Sequence, residues 1–437
     1  KQWLIQTVPN YKIGSINLNC EKANSWEKGV KQMVRYSALL ALLLGSVQVS
    51  AWAQEKTYIV RFKDSAVEKV KPGSVRDNRV RDDAERWGHV GDDAMGHVQK
   101  LEKKHGVKAD AAFGTVFKGM TVRLSPQQVK SLLADPSVAA MEAEQTFTVQ
   151  PLGVRDEAAS GKVEASAAGK VSTTATSSQV IPWGISKTQA TQSYTLAGNG
   201  SGAVAGVRAY IIDTGIDMAT RSMDYTRAGL VNFTGDGRNT DCNGHGTHVA
   251  GTVAASDNTS GVVGMGPGVA LYGVKVLNCQ GSGTTTSVIQ GVDWVAANAI
   301  KPAVANMSLG GGASQMLDDA VRNAAAKGIF FSIAAGNSAL DACTASPARI
   351  GGVNNTTALG VMTVAATDSN DLEASFSNYG SCVDIWAPGV SITSLKVGGG
   401  TTVMSGTSMA SPHVSGAAAL YLGRYPSATS ASVVSTL

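Results

Sequence analysis

Beyond Val180, short apolar segments alternate with segments whose apolar residues recur at helical spacing. Alternation of this kind predicts an α/β fold, a doubly wound and mostly parallel sheet with helices on both faces. Ligand chemistry in such sheets collects at the carboxyl ends of the strands, so we expect functional residues where strands end. The predicted strands are 207–212, 271–277, 304–307, 328–334, 361–365 and 383–387, and the predicted helices are 245–255, 284–298, 315–326 and 408–422.

Four polar residues occupy such positions. A serine at a helix start has an accessible hydroxyl and a backbone N–H without an intrahelical partner, which suit a nucleophile and an oxyanion. An imidazole can act as its base, and a carboxylate can hold that imidazole. Each fragment is weak alone, because a helix N-cap explains the serine and a common turn explains Asp-Thr-Gly. The four are Asp213 and Asn337 after predicted strands, and His245 and Ser408 at predicted helix starts.

The segment 33–53 has the features of a secretory signal peptide. Basic residues precede the apolar run 38–49, which is too short to span a bilayer, and Ala51-Trp52-Ala53 fits a small-x-small cleavage site. We therefore expect a true start at Met33, cleavage after that site and export. Residues 1–32 are an unassigned upstream segment.

Residues 54–150 are predicted to form a small ferredoxin-like α+β domain, because strands and helices follow in βαββαβ order. Ser125 caps its second helix. We interpret His89, His97 and His105 as surface histidines rather than a pH trigger. The predicted elements are strand 57–63, an amphipathic helix over 77–104, strands 111–117 and 119–124, the helix after Ser125, and strand 143–149.

The stretch 151–179 is rich in Ala, Ser, Thr and Gly and has no apolar period. This composition predicts a flexible, protease-accessible linker. A second domain is then expected over 180–437.

Composition argues against several functions. A net charge of +4 without a basic cluster gives no nucleic-acid groove. Five cysteines without a CxxC pair argue against a zinc cage or redox motif. Four of them lie within 180–437 and predict two disulfides in an exported protein, with three pairings open. These four are Cys242, Cys279, Cys343 and Cys382.

Other motifs favour structural roles. His245 and His248 have the spacing of a metal pair but lack a third ligand motif, so we interpret His248 and His413 as core residues. The glycine-rich segment 198–203 precedes a strand, whereas a dinucleotide fingerprint follows one. No serine lies at the centre of a GxSxG elbow, which argues against the usual lipase or esterase.

The order Asp…His…Asn…Ser resembles the subtilisin-like serine proteases over essentially all of 180–437. Three longer motifs place the resemblance in the proteinase K and aqualysin branch. These are Asp241-Cys242-Asn243-Gly244-His245, Ser346-Pro347-Ala348-Arg349 and Ser375-Phe376-Ser377-Asn378-Tyr379-Gly380.

The resemblance implies a secreted serine endopeptidase that cuts unfolded or extended polypeptides through an acyl-enzyme. Ser408 would be the nucleophile, and His245 would be the general base and then the acid. Asp213 would hold the imidazole tautomer. Asn337 and the Ser408 N–H would form the oxyanion hole. No cofactor is implied for the chemistry.

The resemblance also implies a substrate cleft with two glycine-rich edges that accept another backbone as an added strand. Small residues at its first pocket would admit bulky apolar side chains. The implied cleft residues are Gly281, Ser282 and Gly283 on one edge, Ser308, Leu309, Gly310 and Gly311 on the other, and Ala335 and Gly336 at the pocket.

Relatives in this branch suggest the disulfides Cys242–Cys279 and Cys343–Cys382. They also hold calcium where this chain has Asp384, with the backbone carbonyls of Gly351 and Val353. We therefore expect a structural calcium ion as an additional ligand.

The front half resembles the propeptide of these proteases. It is expected to assist folding, inhibit the enzyme with its tail in the cleft, and be removed by a cut in the linker before Ile181. We further expect a secreted monomer that can pass through the periplasm during export. After signal-peptide removal it is expected to bind neither membrane nor nucleic acid.

Two other functions remain open, a non-catalytic peptide-binding homologue and a hydrolase that prefers esters. Activity on proteins against small esters would separate them. A helix begins near Ser427, and relatives continue beyond Leu437, so we expect that the sequence is truncated at its C-terminus.

Overall fold

A computed structural model describes residues 55–75, 77–83, 87–149, 152–156, 179–219, 224–355 and 359–437. The upstream segment, the predicted signal peptide and most of the predicted linker lie outside the described residues. Within the described part, no helix combines the length and apolar character needed to cross a membrane.

The front domain is the predicted βαββαβ unit. Its four antiparallel strands have the spatial order β2-β3-β1-β4. Val60 and Phe62 point to the face that carries the helices, whereas Ile59 packs into the core of the second domain, so both faces of this sheet are buried. The elements are β1 (Lys56–Phe62), α1 (Asn78–Asp82), α2 (Asp92–His105), β2 (Ala109–Phe113), β3 (Gly119–Leu124), α3 (Pro126–Leu133) and β4 (Val138–Ala143).

Local chemistry explains two helix starts in this domain. The hydroxyl of Ser125 accepts the N–H of Gln128, and the Gln128 side chain accepts the Ser125 N–H, which forms a capping box as α3 begins. The predicted single helix over 77–104 is wrong, because α1 ends at Asp82 and α2 begins after Gly91. Two aspartates in the first turn of α2 favour a new start through the helix dipole.

The three histidines are buried, so their interpretation as surface residues is wrong. His97 is 7% exposed, and its ring packs 4.7 Å from the ring of Phe62. The side chains of His89 and His105 are 3% and 5% exposed, and each contacts a carboxylate. His97 and His105 lie on α2, whereas His89 precedes this helix and contacts Asp293 of the second domain.

Two further strands follow the front domain. The predicted strand 143–149 is wrong in its placement, because β4 ends at Ala143 and a separate β5 (Thr146–Thr148) leaves the front sheet. The strand β6 (Leu152–Asp156) lies where we predicted flexible linker. Both strands pair with the second domain, which only the tertiary structure could reveal.

The second domain is built on seven parallel strands in the order β16-β15-β13-β11-β7-β9-β8. Successive residues face opposite layers: Ile211 and Phe330 pack on one side, whereas Ile212 and Phe331 pack on the other. This explains the continuous apolar runs. The strands are β7 (Arg208–Asp213), β8 (Arg227–Asn232), β9 (Ala270–Lys275), β11 (Ala303–Met307), β13 (Phe330–Ala334), β15 (Val361–Thr367) and β16 (Ile385–Pro388).

We did not predict β8, a partly exposed edge strand whose sequence contains Ala-Gly. The remaining described helices and short strands surround the sheet. They are α4 (Trp183–Lys187), α5 (His245–Ala254), β10 (Ser282–Thr284), α6 (Thr285–Asn298), β12 (Gly311–Gly312), α7 (Gln315–Ala325), β14 (Ala345–Ser346), β17 (Ile392–Leu395), β18 (Thr401–Ser405), α8 (Thr407–Arg424) and α9 (Ser430–Thr436).

One buried carboxylate joins the two domains. Asp293 on α6 accepts the backbone N–H groups of Gly114, Thr115 and Val116 at 3.2, 2.8 and 2.6 Å, and His89 lies 3.1 Å away. An unpaired N–H in a buried place is costly, so this acceptor is central to the interface.

We predict that Asp293→Ala weakens association of the front domain with the second domain roughly a thousandfold or more, because three hydrogen bonds to a charged group are lost and each contributes about 1.5–3 kcal/mol. The dissociation constant of segments 55–150 and 180–437, both expressed with Ser408→Ala where present, measures this by calorimetry. Asp319→Ala is the matched control, since its ion pair with Arg61 is partly exposed and contributes little. Equal losses in both variants would contradict the prediction.

Candidate active site

Asp213 and His245 form a buried pair at the carboxyl end of the sheet. Asp213 is the last residue of β7, and His245 is the first of α5. The two Asp213 oxygens lie 2.8 and 2.9 Å from His245 Nδ1, and both side chains are at most 1% exposed. Since an ionised carboxylate only accepts, Nδ1 carries the proton and Nε2 is left as the basic nitrogen. Gly244, at φ 109°, provides the left-handed turn that precedes the helix.

Electrostatics favour the charged form of His245. Burial of the ring lowers its pKa, but attraction to Asp213 and the hydrogen bond with it outweigh burial. The pKa of His245 therefore lies above the usual value of a histidine. The site is set to stabilise an imidazolium.

Ser408 lies in the first turn of α8, after Gly406 at φ 153°. Its side chain is largely buried, and its Oγ donates to the carbonyl of Ser308 at 3.1 Å. His245 Nε2 has no hydrogen-bond partner among the described residues. The Ser408 hydroxyl is therefore bonded to the Ser308 carbonyl and not to the imidazole, and a rotation about its Cα–Cβ bond would redirect it.

Asn337 is oriented by a residue that the sequence analysis did not single out. The N–H and hydroxyl of Thr407 donate to Asn337 Oδ1 at 2.8 and 2.9 Å, which fixes the side-chain amide. Its Nδ2 is thereby left as a donor beside the start of α8. In the sequence, the feature that could have identified Thr407 is its position between Gly406 and the proposed nucleophile Ser408.

A cavity of about 590 Å³ contains Ser408 and Asn337. Most of the predicted cleft residues line it, and small side chains at Ala334, Ala345 and Ala348 widen it. The predicted residues that line it are Ser308, Leu309, Gly310, Gly311, Ala335 and Gly336.

Residues of the front domain occupy the cleft between its two predicted edges. On one edge β5 pairs antiparallel with β10, which includes Ser282 and Gly283, and the Val149 N–H donates to the Gly281 carbonyl at 2.8 Å. On the other edge the ring of Phe147 lies so close to Gly311 that a Cβ there would approach it to 2.8 Å. The missing side chain of Gly281 lets the Val149 backbone approach, and that of Gly311 leaves room for the Phe147 ring.

The front chain also pairs beyond the serine. The backbone of β6 runs antiparallel to β18, with Leu152 opposite Ser405. Thr148 and Val149 line the cavity that contains Ser408. The same chain thus contacts the second domain on both sides of the serine.

The four cysteines of the second domain form Cys242–Cys279 and Cys343–Cys382, the pairs that the resemblance implied. The first bridge joins the segment before His245 to the segment before β10. It therefore couples two parts of the site through one covalent bond.

The predicted metal position fits a hard cation in part. Burial raises the pKa of Asp384, and one of its oxygens accepts the Thr363 N–H at 2.7 Å. Its carboxylate touches Gly351 closely enough that a Cβ would collide with it. Val353 lies two residues on, and its side chain is exposed. A half-buried carboxylate and backbone carbonyl oxygens are donor types that calcium prefers. The Gly351 carbonyl accepts the Asn354 N–H at 3.1 Å in this structure.

The predicted core histidines lie in the core. His248 Nε2 bonds the Ile392 carbonyl at 2.9 Å, and burial lowers the pKa of His248 to about 3. His413 Nδ1 bonds the Met409 carbonyl at 2.8 Å. Both rings are tied to backbone, which supports their structural interpretation over a metal site.

Comparison with known proteins gives two family matches. Residues 204–437 match the subtilase family, and residues 57–150 match the peptidase inhibitor I9 family.

Named relatives agree with these matches. The chain is 42% identical to the alkaline serine exoprotease A of Vibrio alginolyticus, over 74% of this chain and 55% of that protein. It is 43% identical to the extracellular serine proteinase of a Thermus species, over 76% of this chain and 73% of that protein. The chain thus spans little more than half of the Vibrio relative. A crystal structure of a cold-adapted subtilisin-like serine proteinase aligns with a TM-score of 0.51 at 42% identity, covering 59% of this chain and 90% of that one.

We predict that Asp213→Asn lowers the pKa of His245 below that of a free histidine. The amide removes the attraction and the hydrogen bond that together outweigh burial, so burial is then opposed only by the weaker field of Asp241. Proton NMR of the His245 ring across pH measures the shift. Asp368→Asn, an exposed carboxylate elsewhere, is the control and should leave the titration unchanged. A His245 pKa that does not fall in Asp213→Asn would contradict the assigned pairing.

Proposed function

This chain belongs to the subtilase family, and from that premise we propose that it is a secreted serine endopeptidase. It hydrolyses peptide bonds of unfolded or extended polypeptides by a Ser-His-Asp acyl-enzyme mechanism. The observation that carries the proposal is the buried Asp213–His245 pair, in which Nε2 has no hydrogen-bond partner among the described residues. The helix that begins with His245 packs against the helix whose first turn contains Ser408.

The reaction follows from these positions. Ser408 Oγ attacks the carbonyl carbon of the substrate while His245 Nε2 takes its proton. The N–H of Ser408 and Nδ2 of Asn337 donate to the oxyanion. His245 then protonates the leaving amine, and water releases the acyl group by the same steps. Asp213 stabilises the imidazolium through each proton transfer.

The substrate binds as a strand between the two cleft edges, in the place that β5 occupies. Main-chain hydrogen bonds to Gly281 and to the 308–311 segment provide affinity for any extended peptide. The pocket beside Ala335 and Gly336 admits bulky apolar side chains because no large side chain fills it. We expect broad specificity with an apolar preference before the cut bond.

The front domain acts as an intramolecular inhibitor. Its tail occupies the cleft, and its interface is anchored at Asp293, away from the serine. Removal of residues 54–179 by a cut in the linker, before Ile181, activates the enzyme. Secretion agrees with the two disulfides and with the similarity to the extracellular serine proteinase of a Thermus species. The monomeric state stays a prediction.

We also propose a structural calcium ion at Asp384, with the backbone carbonyls of Gly351 and Val353 as further ligands. Its support is the half-buried carboxylate that lies against Gly351. The ion would stabilise this loop and would take no part in the chemistry.

A non-catalytic homologue would need a change at one of the four catalytic positions, and the chain carries all four. A hydrolase with ester preference would cleave small esters while leaving unfolded proteins intact. The strand-like fit of β5 in the cleft favours a polypeptide substrate.

We predict that Ser408→Ala keeps its front half. Expressed from Met33, the wild type should lose it by a cut near residues 172–180, whereas the variant has no nucleophile for the cut. Intact mass and N-terminal sequencing decide. Ser435→Ala, an exposed serine, is the control and should be processed. Adding a trace of wild type should process the Ser408→Ala protein, which shows that it is folded; cleavage of the purified variant alone would refute the assignment of Ser408.

We predict that calcium raises the melting temperature of the processed wild type but not of Asp384→Asn. A ligand at a hundred times its dissociation constant stabilises by about 2.7 kcal/mol, which shifts melting by a few degrees. Calorimetry with calcium or with a chelator measures the difference. Asp371→Asn, an exposed carboxylate, should respond like the wild type. An undiminished calcium response in Asp384→Asn would exclude this site.

A further inference from the structure

Asp241 is a buried carboxylate behind the catalytic pair, 2% exposed, and the proposed mechanism gives it no role. We propose that Asp241 is a positioning residue for peptide hydrolysis: it locks the turn that carries Asp213 to the helix start that carries His245. The inference rests on the proposed function, because it concerns how the pair is held during that reaction.

Five donors surround this carboxylate. One oxygen accepts the hydroxyl of Thr214 at 3.0 Å and the N–H groups of Asn243 and Gly244, each at 2.9 Å. The other accepts the N–H and hydroxyl of Thr247 at 2.9 and 2.6 Å. A carboxylate that accepts this many hydrogen bonds is fixed in its orientation.

These donors come from both sides of the pair. Thr214 directly follows Asp213, and its N–H donates to Asp213 Oδ1 at 2.7 Å. Gly244 directly precedes His245, and Thr247 is the third residue of α5, two positions after His245. Asp241 is thus bonded to a neighbour of each catalytic residue. Movement of the β7 end relative to α5 would break these bonds.

The Thr214 hydroxyl forms a second link. It donates to Asp241 and accepts the N–H of Gly246 at 2.9 Å. The Thr214 carbonyl accepts a bond at 3.0 Å from Nζ of Lys275, a lysine that is fully buried on the neighbouring strand. Thr214 is therefore held by an anion on one side and a cation on the other.

The charge of Asp241 and the hydrogen bonds it accepts both favour the proposed reaction. Its field, with that of Asp213, favours the protonated form of His245, which exists after the serine proton has moved. The other charged group near Thr214 is Lys275, with Asp236 at 3.4 Å from its Nζ. Since errors of about 1 Å in a catalytic group can reduce turnover about a hundredfold, both effects should appear in kcat.

The test uses processed enzyme and a chromogenic apolar peptide anilide. Active-site titration counts the working sites, so that turnover is expressed per site. Asp241→Asn should lower kcat per titrated site roughly ten- to a hundredfold with KM within about twofold, because positioning acts on the reacting geometry rather than on substrate binding. The acid limb of its pH profile should also move to lower pH, since a charge that favours the imidazolium is gone.

Asp257→Asn is the matched control. Asp257 also accepts three backbone N–H groups, from Gly198, Gly200 and Gly202, but lies outside the site, so its kcat and pH limb should equal those of the wild type. A purely structural role for Asp241 would reduce the number of titrated sites and leave kcat per site within twofold. That result would overturn the proposal.

A second pair of variants tests the proposal if Asp241→Asn does not fold. Thr214→Val removes only the hydroxyl link and should lower kcat per site without moving the pH limb, and Thr214→Ser should restore it. Wild-type kcat in Thr214→Val would overturn the proposal. A wild type that shows no burst on titration would instead refute the proposed function, and this inference with it.

Discussion

A carboxylate with no exposed surface at the end of a parallel strand is the constraint on which the site depends. Removing the Asp213 charge from water is costly unless donors replace the lost hydration. His245 and the Thr214 N–H supply those donors, so the protein holds an imidazole in one tautomer as the condition for burying the acid. The parallel sheet makes this arrangement available, because β7 ends against the start of α5. Asp241 in turn accepts hydrogen bonds from Thr214 and Gly244, the residues next to Asp213 and His245.

Much of this could be predicted from the sequence. Asp213 and Asn337 directly follow apolar strands, and a strand end in a doubly wound sheet is where chemistry collects. The glycines beside His245 and Ser408 marked two helix starts. What pattern could not give is the local orientation: that Thr407 turns the Asn337 amide, or that the Ser408 hydroxyl bonds the Ser308 carbonyl. Those contacts join segments that are distant in the sequence.

Most of the errors have one physical source. Periodicity reports that a segment has a buried face but not what covers it. His97 packs on Phe62 inside the front domain, and β5 and β6 pair with edges of the second domain that no local pattern announces. The helix predicted over 77–104 failed for a different reason. Charged residues continue across the break, so composition does not show that one helix ends at Asp82 and the next begins after Gly91.

The placement of the front domain explains how a short strand can block the proposed enzyme. Three residues of β5 offer few hydrogen bonds, and as a free peptide they would compete poorly with substrate. Asp293 and the buried face of the front sheet hold the tail beside the cleft, so its binding is intramolecular and its effective concentration is high. Pairing of β6 with β18 adds a second hold beyond the serine. Cutting the linker removes the high effective concentration of the tail, although it changes none of the residues in the interface. The tail can then dissociate together with the front domain. Latency is therefore a property of the covalent connection, and the same cleft edges that hold the tail become the substrate site once that connection is lost.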